Sequence, residues 1–255
     1  MDVGCSVDGD SGDFVLYGKG LEGDMNVLVI PARWGSTRFP GKPLAEIMGV
    51  PMILWVWNRC RQVAGFDRVL VATDDERIAE YCHSRGLNYE ITSSDCRNGT
   101  ERCEEVARGL QEGSLVVNVQ GDEPLMEPAI VQRVLFNLQY RPDRVWTAVR
   151  KVREGELKRR DVVKCRVVDG KVTEYVRDAA PWAKHVHVGV YGYSVRKLRE
   201  YAALEPSVAE IKEGLEQLRW REPLACVTVE YDGIGVDRPE DIKRVEDRLN
   251  GPAAV

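Results

Sequence analysis

An apolar run, Val27 to Ile30, leads directly into Pro31-Ala32-Arg33-Trp34-Gly35-Ser36-Thr37-Arg38-Phe39-Pro40-Gly41-Lys42-Pro43. Glycines let a backbone approach a phosphate closely, free N–H groups on a turn form an anion-binding nest, and Arg33, Arg38 and Lys42 add positive charge. A loop of this make-up suits a triphosphate. It is not a Walker loop, because Lys42 is followed by Pro43 rather than Ser or Thr. No G-x-G-x-x-G follows the strand either, so neither a P-loop NTPase nor a dinucleotide-binding protein is indicated. Taken alone, the loop could equally be a solvated surface turn.

Two acidic strand ends change that balance. Asn118-Val119-Gln120-Gly121-Asp122-Glu123-Pro124 and Gly233-Ile234-Gly235-Val236-Asp237-Arg238-Pro239-Glu240-Asp241 each close an apolar run on carboxylates. A lone turn aspartate is usually structural, accepting hydrogen bonds from its own backbone. Together with a basic loop, Asp122 and Asp237 point to metal–phosphate chemistry. Mg²⁺ takes hard oxygen ligands, often one or two carboxylates, and completes its octahedron with water and phosphate. Asp241 fits the first turn of a helix, where a carboxylate complements the dipole. Glu123 could reach a metal through water or stand as a solvated edge carboxylate. Trp34 reads as an apolar cover over the loop or as packing against a neighbour.

Asn98-Gly99-Thr100-Glu101-Arg102 carries a capping signature, with Thr100 as N-cap and Glu104 or Glu105 nearby. Capping does not account for Arg102. A histidine on an alternating strand, such as His187, is ordinarily a satisfied packing residue.

The elements that must position these residues alternate in type. Strands are predicted at 26–30, 68–72, near 87–91 and at 115–119, with helices at about 51–64, 75–85, 100–110 and 128–140. Such alternation implies βαβ units and a mostly parallel central sheet flanked by helices, an α/β class. Strands then crowd at 144–149, 162–168 and 171–176, with Asp169-Gly170 as a hairpin turn. His185 to Tyr193 is predicted as a strand, Ser207 to Trp220 as an amphipathic helix, 225–230 as a strand and Pro239 to Leu249 as a closing helix. In open α/β sheets ligands bind beyond the carboxyl ends of strands, where the loops after 26–30 and 115–119 both fall.

At 255 residues the chain suits one large domain with a buried core. Residues 1–25 are Gly- and Asp-rich and are expected to form a mobile extension. Net charge of −5 despite 36 Lys and Arg argues against a nucleic-acid partner. Seven cysteines without a C-x-x-C pair indicate neither a disulfide framework nor a zinc site, and hence a reducing, cytoplasmic setting. No apolar run reaches membrane-spanning length; no membrane partner is expected.

Seven segments in order resemble the cytidylyltransferases that activate 3-deoxy-manno-octulosonate (Kdo), the CMP-Kdo synthetases. They are Pro31-Ala-Arg-x-x-Ser-x-Arg-x-Pro-Gly-Lys-Pro43, Val71-Ala-Thr-Asp74, Asn98-Gly-Thr-Glu-Arg102, Val119-Gln-Gly-Asp-Glu-Pro124, His187-x-Gly-x-Tyr-Gly-Tyr193, Leu215-Glu-Gln-Leu-Arg219 and Gly235-Val-Asp-x-Pro-Glu-Asp241. The resemblance runs from about Asn26 to Leu249. It implies a nucleotide-diphospho-sugar transferase-like fold, with a nucleotide-binding part at about 26–140, a smaller mixed acceptor and dimerisation part at about 141–230, and a closing metal loop and helix at 231–250. It implies CTP held by Arg33, Ser36, Arg38, Lys42, Thr73, Asp74, Gly99, Thr100, Arg102 and Gln120. An acidic sugar acceptor would meet Gln120, Lys164, Arg177, His187, Tyr191, Glu216 and Gln217. Asp122 and Asp237 would hold Mg²⁺, and with Lys42 and Arg38 they would be the catalytic set. The implied reaction transfers CMP to the anomeric hydroxyl of the acid and releases pyrophosphate. Tyr175-Val176-Arg177 lacks a hydroxyl usual in the family, and the segment from Trp182 to His187 is short. The acceptor pocket and the interface of the implied homodimer should therefore be altered. A cytidylyltransferase for another anionic sugar acid, and a non-catalytic nucleotide-sugar-binding protein, remain the alternatives.

Overall fold

The computed structural model describes residues 23–251; most of the expected N-terminal extension lies outside them. Strand β1 (Asn26–Ala32) sits centrally, and Val27 to Ile30 are fully buried on both its faces, Leu28 and Ile30 on one and Val27 and Val29 on the other. It pairs in parallel with β4 (Arg68–Thr73) and with β6 (Leu115–Val119), and β4 pairs in parallel with β5 (Tyr89–Ile91). Helices α1 (Met52–Cys60), α2 (Glu76–Ser84), α3 (Gly99–Ala107) and α4 (Pro128–Tyr140) make the crossovers. Between β1 and α1, a two-residue turn with positive φ at Met48 and Gly49 joins the tiny strands β2 (Glu46–Ile47) and β3 (Val50–Pro51).

The remaining strands follow a different rule, and the mostly parallel expectation is corrected here. β7 (Trp146–Lys151), β8 (Lys164–Val168), β9 (Lys171–Val176), β10 (His185–Ser194) and β11 (Leu224–Thr228) belong to the same nine-stranded sheet, ordered β5-β4-β1-β6-β10-β7-β11-β9-β8. Only β11–β7 is parallel among them; the β8–β9, β9–β11, β10–β6, β10–β7 and β10–β8 pairings are antiparallel. Of the antiparallel pairs only β8 and β9 are joined by a short turn, which leaves no room for a crossover helix. Ten-residue β10 is long enough to pair with β6 at one end and with β7 and β8 at the other. The additional β10–β8 pairing closes this half of the sheet on itself. Asp169 and Gly170, both at positive φ, form the expected β8–β9 hairpin turn.

Two helices differ from expectation. The predicted 207–220 helix stops at Glu213 because Gly214 adopts the left-handed conformation, giving α6 (Val208–Glu213) and then a 3-10 turn over Glu216–Arg219. Helix α5 (Val195–Ala202) was not anticipated. Ser194 caps it by accepting from Lys197 N, and Val195, Leu198 and Tyr201 bury one face. The closing helix α7 (Pro239–Asn250) is as expected.

Candidate active site

The carboxyl ends of β1 and β6 open into a cavity of about 1170 Å³ that reaches across to the closed half of the sheet. Its wall carries eleven arginines and Lys42 against nine carboxylates, so an acidic chain presents a locally positive recess. Of the expected nucleotide residues, Arg33, Ser36, Arg38, Lys42, Gly99, Arg102 and Gln120 line it.

The basic loop folds back through Trp34, whose carbonyl accepts from Ser36 N at 2.8 Å and Gly41 N at 3.0 Å. Lys42 Nζ donates to Asp122 Oδ2 at 2.7 Å and to the Val236 carbonyl at 2.9 Å. Arg38 forms a two-point pair with Asp237 at 2.8 and 3.2 Å. Val236 N donates to the Asp122 carbonyl at 2.9 Å, drawing the two acidic loops together. Burial and the neighbouring Asp122 charge raise the Asp237 pKa, against the opposing pull of Arg38, Lys42 and Arg177. Gly121 permits this convergence: a Cβ there would stand 2.6 Å from the Pro31 carbonyl oxygen. Asp241 serves α7 as expected, its carboxylate accepting from Asp237 N and Arg238 N and pairing with Arg244 at 2.6 Å.

Two hard carboxylates beside a phosphate-type loop fit Mg²⁺, which needs few protein ligands when phosphate and water fill the rest. Among the described residues no cluster of three or more His, Cys, Asp or Glu forms an all-protein metal cage.

Several expected residues act from behind the wall instead of in it. Thr73 is fully buried and does not line the cavity, and Asp74 pairs with the Arg102 guanidinium at 3.2 Å. Arg102, itself buried, also donates to Thr92 Oγ1 and is thereby aimed at the recess. Thr100 is not the N-cap; Asn98 Oδ1 accepts from Glu101 N at 2.9 Å, while the Thr100 hydroxyl meets the Tyr193 hydroxyl at 2.9 Å. Trp34 does not cover the cavity, since it packs on Gly41 and lies under Arg77. Glu123 is no solvated edge acid: it accepts from Tyr231 Oη at 2.8 Å and Gly189 N at 3.3 Å, and burial pushes its pKa up to about 7.

On the opposite side, Arg177, His187, Tyr191, Glu216 and Gln217 line the cavity with Gln120. Lys164 does not. It is fully buried and its ammonium donates to the carbonyls of Arg159 and Arg177, so it ties the strand end and leaves no exposed charge. Val176 is likewise outside the wall, paired with Lys164 in the β8–β9 ladder. Arg177 donates to the carbonyls of Glu213, Gly214 and Arg160, with no carboxylate in ion-pair distance among the described residues. Glu216 accepts from Thr100 N at 2.8 Å and Gln120 Nε2 at 2.9 Å. Tyr191 Oη donates to Gln217 Oε1 at 3.1 Å.

The tautomer of His187 follows from its partner. Thr147 Oγ1 spends its proton on the Val190 carbonyl at 2.8 Å, so it must accept from His187 Nε2 at 2.9 Å, leaving Nδ1 as an acceptor. Burial lowers the His187 pKa to about 3 and keeps the ring neutral.

Sequence patterns did not single out Arg150, Arg153, Glu210, Arg219 or Tyr231 in the wall. Arg150 and Glu156 form a two-point pair at 2.7 Å, and Arg219 pairs with Glu210 at 2.6 Å and Glu101 at 2.8 Å. Arg219 closes the 215–219 motif and could have been suspected from it; the others carry no local signal.

The chain as a whole is similar to known proteins. The cytidylyltransferase family model matches residues 27–225. The chain belongs to the cytidylyltransferase family. A 3-deoxy-manno-octulosonate cytidylyltransferase of Zea mays is 41% identical over 235 residues, covering 86% of this chain and 78% of its own. The enzyme of that name from Myxococcus xanthus is 41% identical over 232 residues, covering 86% and 94%. A solved CMP:2-keto-3-deoxy-manno-octonic acid synthetase complexed with CTP superposes with a TM-score of 0.81 at 34% identity, covering 89% of this chain and 98% of that one.

Proposed function

We propose that this cytidylyltransferase moves CMP from CTP to the anomeric hydroxyl of a 3-deoxy-2-ulosonic acid, with Kdo as the first acceptor, and releases pyrophosphate. The observation that carries the reading is the pairing of Lys42 with Asp122 and Arg38 with Asp237 at the mouth of the recess. Two cations meant for phosphate rest on two carboxylates meant for a metal. The hydroxyl oxygen bonds to the α-phosphorus while the bond from that phosphorus to the bridging oxygen breaks. Pyrophosphate leaves with the electron pair, and the hydroxyl proton passes to water.

Mg²⁺ held by Asp122 and Asp237 would supply charge stabilisation at the α-phosphate and lower the pKa of the attacking hydroxyl. Arg38, Lys42 and Arg33 hold the triphosphate, and neutralise charge on the departing pyrophosphate. Gly99, Gln120 and Arg102 bound the end of the recess suited to the pyrimidine, where cytosine needs donors for O2 and N3. On the acceptor side, Arg177 faces the carboxylate, and Nδ1 of neutral His187 accepts from a sugar hydroxyl. Tyr191, Glu216 and Gln217 fix the remaining hydroxyls. We further propose a cytoplasmic homodimer; the six described cysteines are free, in keeping with a reducing compartment.

A different anionic ulosonate is the second reading, supported by the short 182–187 segment, where Ala183 is buried and Trp182 stacks under Arg166 at 4.7 Å. The test is pyrophosphate release from CTP across Kdo, an amino-substituted ulosonate and a sugar lacking the carboxylate. The highest kcat/KM with Kdo supports the first reading, and preference for the substituted acid supports the second. Turnover of the sugar without a carboxylate contradicts both.

A further inference from the structure

Trp34 lies outside the cavity, yet it is tied to the phosphate loop at three points. Its carbonyl accepts from both Ser36 N and Gly41 N, closing residues 34–41 into one ring. Its indole packs on Gly41, which sits at φ +71°, where a Cβ would approach Cζ2 to 2.9 Å. The Arg77 guanidinium lies 3.5 Å from the centre of the indole ring. Arg77 is in turn gripped by Asp75 through bonds of 2.9 and 2.7 Å, and Asp75 caps α2 by accepting from Arg77 N at 3.0 Å.

Resting on the function proposed above, the geometry points to Trp34 and Arg77 as a clamp that positions the phosphate loop for the triphosphate. Arg38 lies inside the ring closed by Trp34, and Lys42 follows Gly41 directly, so the clamp sets where both cations stand. Neither Trp34 nor Arg77 lines the cavity. They are positioning residues. The guanidinium over the indole is a favourable cation–π contact, and its orientation is fixed by the Asp75 carboxylate. Two adjacent acids at the end of β4 therefore divide the work. Asp74 orients Arg102 toward the recess, whereas Asp75 orients Arg77 onto the loop.

The proposal is tested with Trp34→Ala, Trp34→Phe, Arg77→Ala and the Trp34→Ala/Arg77→Ala double variant, each checked for a retained melting temperature. Inorganic tripolyphosphate binding by calorimetry is the readout that does not depend on turnover. Trp34→Ala is expected to weaken tripolyphosphate and raise the KM for CTP by about 10-fold, with the acceptor KM unchanged, and Trp34→Phe to recover most of the loss. Arg77→Ala should lose about 3-fold on the same two measures. The double variant should be no worse than Trp34→Ala, since Arg77 acts through the indole. Unchanged tripolyphosphate affinity in Arg77→Ala, an equal rise in the acceptor KM, or additive losses in the double variant would overturn the clamp. Should Trp34→Ala fail to fold, the Arg77→Ala result decides alone. Wild-type protein that binds tripolyphosphate without turning over CTP would defeat the nucleotidyl-transfer reading and leave the clamp standing. Wild-type protein that binds neither would defeat both.

Discussion

Lys42 Nζ lies 2.7 Å from Asp122 Oδ2, joining the basic loop after β1 to the acidic loop after β6. The same ammonium donates to the Val236 carbonyl, so one side chain pins all three loops of the site. Charge that would repel between Asp122 and Asp237 is thereby held in place without substrate.

Replacing either acid by its amide should remove this charge while preserving shape. Asp122→Asn and Asp237→Asn are each expected to reduce kcat by a factor of about 10² or more, with the melting temperature changed little. Wild-type turnover in either variant would contradict its role, and steady-state kinetics with Mg²⁺ in excess checks it.

Arg177 is the proposed partner of the acceptor carboxylate. Arg177→Ala should reduce kcat/KM for the acid by about 2 kcal/mol, the scale of a charge-assisted hydrogen bond, with the KM for CTP unmoved. Equal losses for both substrates would show that Arg177 serves the α6 loop, to whose Glu213 and Gly214 carbonyls it donates, and not the acceptor.

Arg219 should matter to the fold before it matters to catalysis. It is buried between Glu101 and Glu210 and stacks on Tyr201 at 4.3 Å. Removing one partner of a buried ion network leaves charge uncompensated, so Arg219→Ala should cost about 3 to 5 kcal/mol in urea unfolding. Arg219→Lys should recover only part, because an ammonium cannot reproduce the two-carboxylate fork. Full stability in the alanine variant would contradict this.

The pH dependence of stability should carry the mark of His187. Its folded pKa lies near 3, below the ordinary histidine value, so the stability it contributes is present above about pH 6.5 and is lost as pH falls toward 3. Over that window the unfolded chain binds a proton that the native chain refuses. His187→Gln should therefore flatten the unfolding free energy between pH 6 and 4 by up to about 1.4 kcal/mol per pH unit relative to wild type. Parallel curves for the two proteins would show that the ring protonates in the fold.

The parallel half of the sheet was legible because each of its signals is local. Val27 to Ile30, the 31–43 loop and the acidic turn at Asp122 announce a strand, a basic loop and a carboxylate at the cavity wall in a few residues each. The closed half was not. Nothing in the spacing of Lys164, Arg177 and His185 indicates that β10 pairs with three strands, and that closure is what buries the Lys164 ammonium against backbone carbonyls. Glu123 and Tyr231 meet across 108 positions, a contact with no sequence signature. Two misses did have a local sign: Ser194 before Val195, Leu198 and Tyr201 spells a capped amphipathic helix, and Gly214 marks a helix end.

In the proposed function, Asp122 and Asp237 serve transfer of the α-phosphoryl of CTP to a sugar acid. The most direct measurement follows CTP labelled at the α-phosphate, with Kdo and Mg²⁺, in the wild-type protein and in the Asp122→Asn and Asp237→Asn variants. Label is expected in the sugar-acid conjugate with one pyrophosphate per turnover in wild type, and almost none in either variant. Label that stays in CTP, or appears only in free CMP, would contradict it.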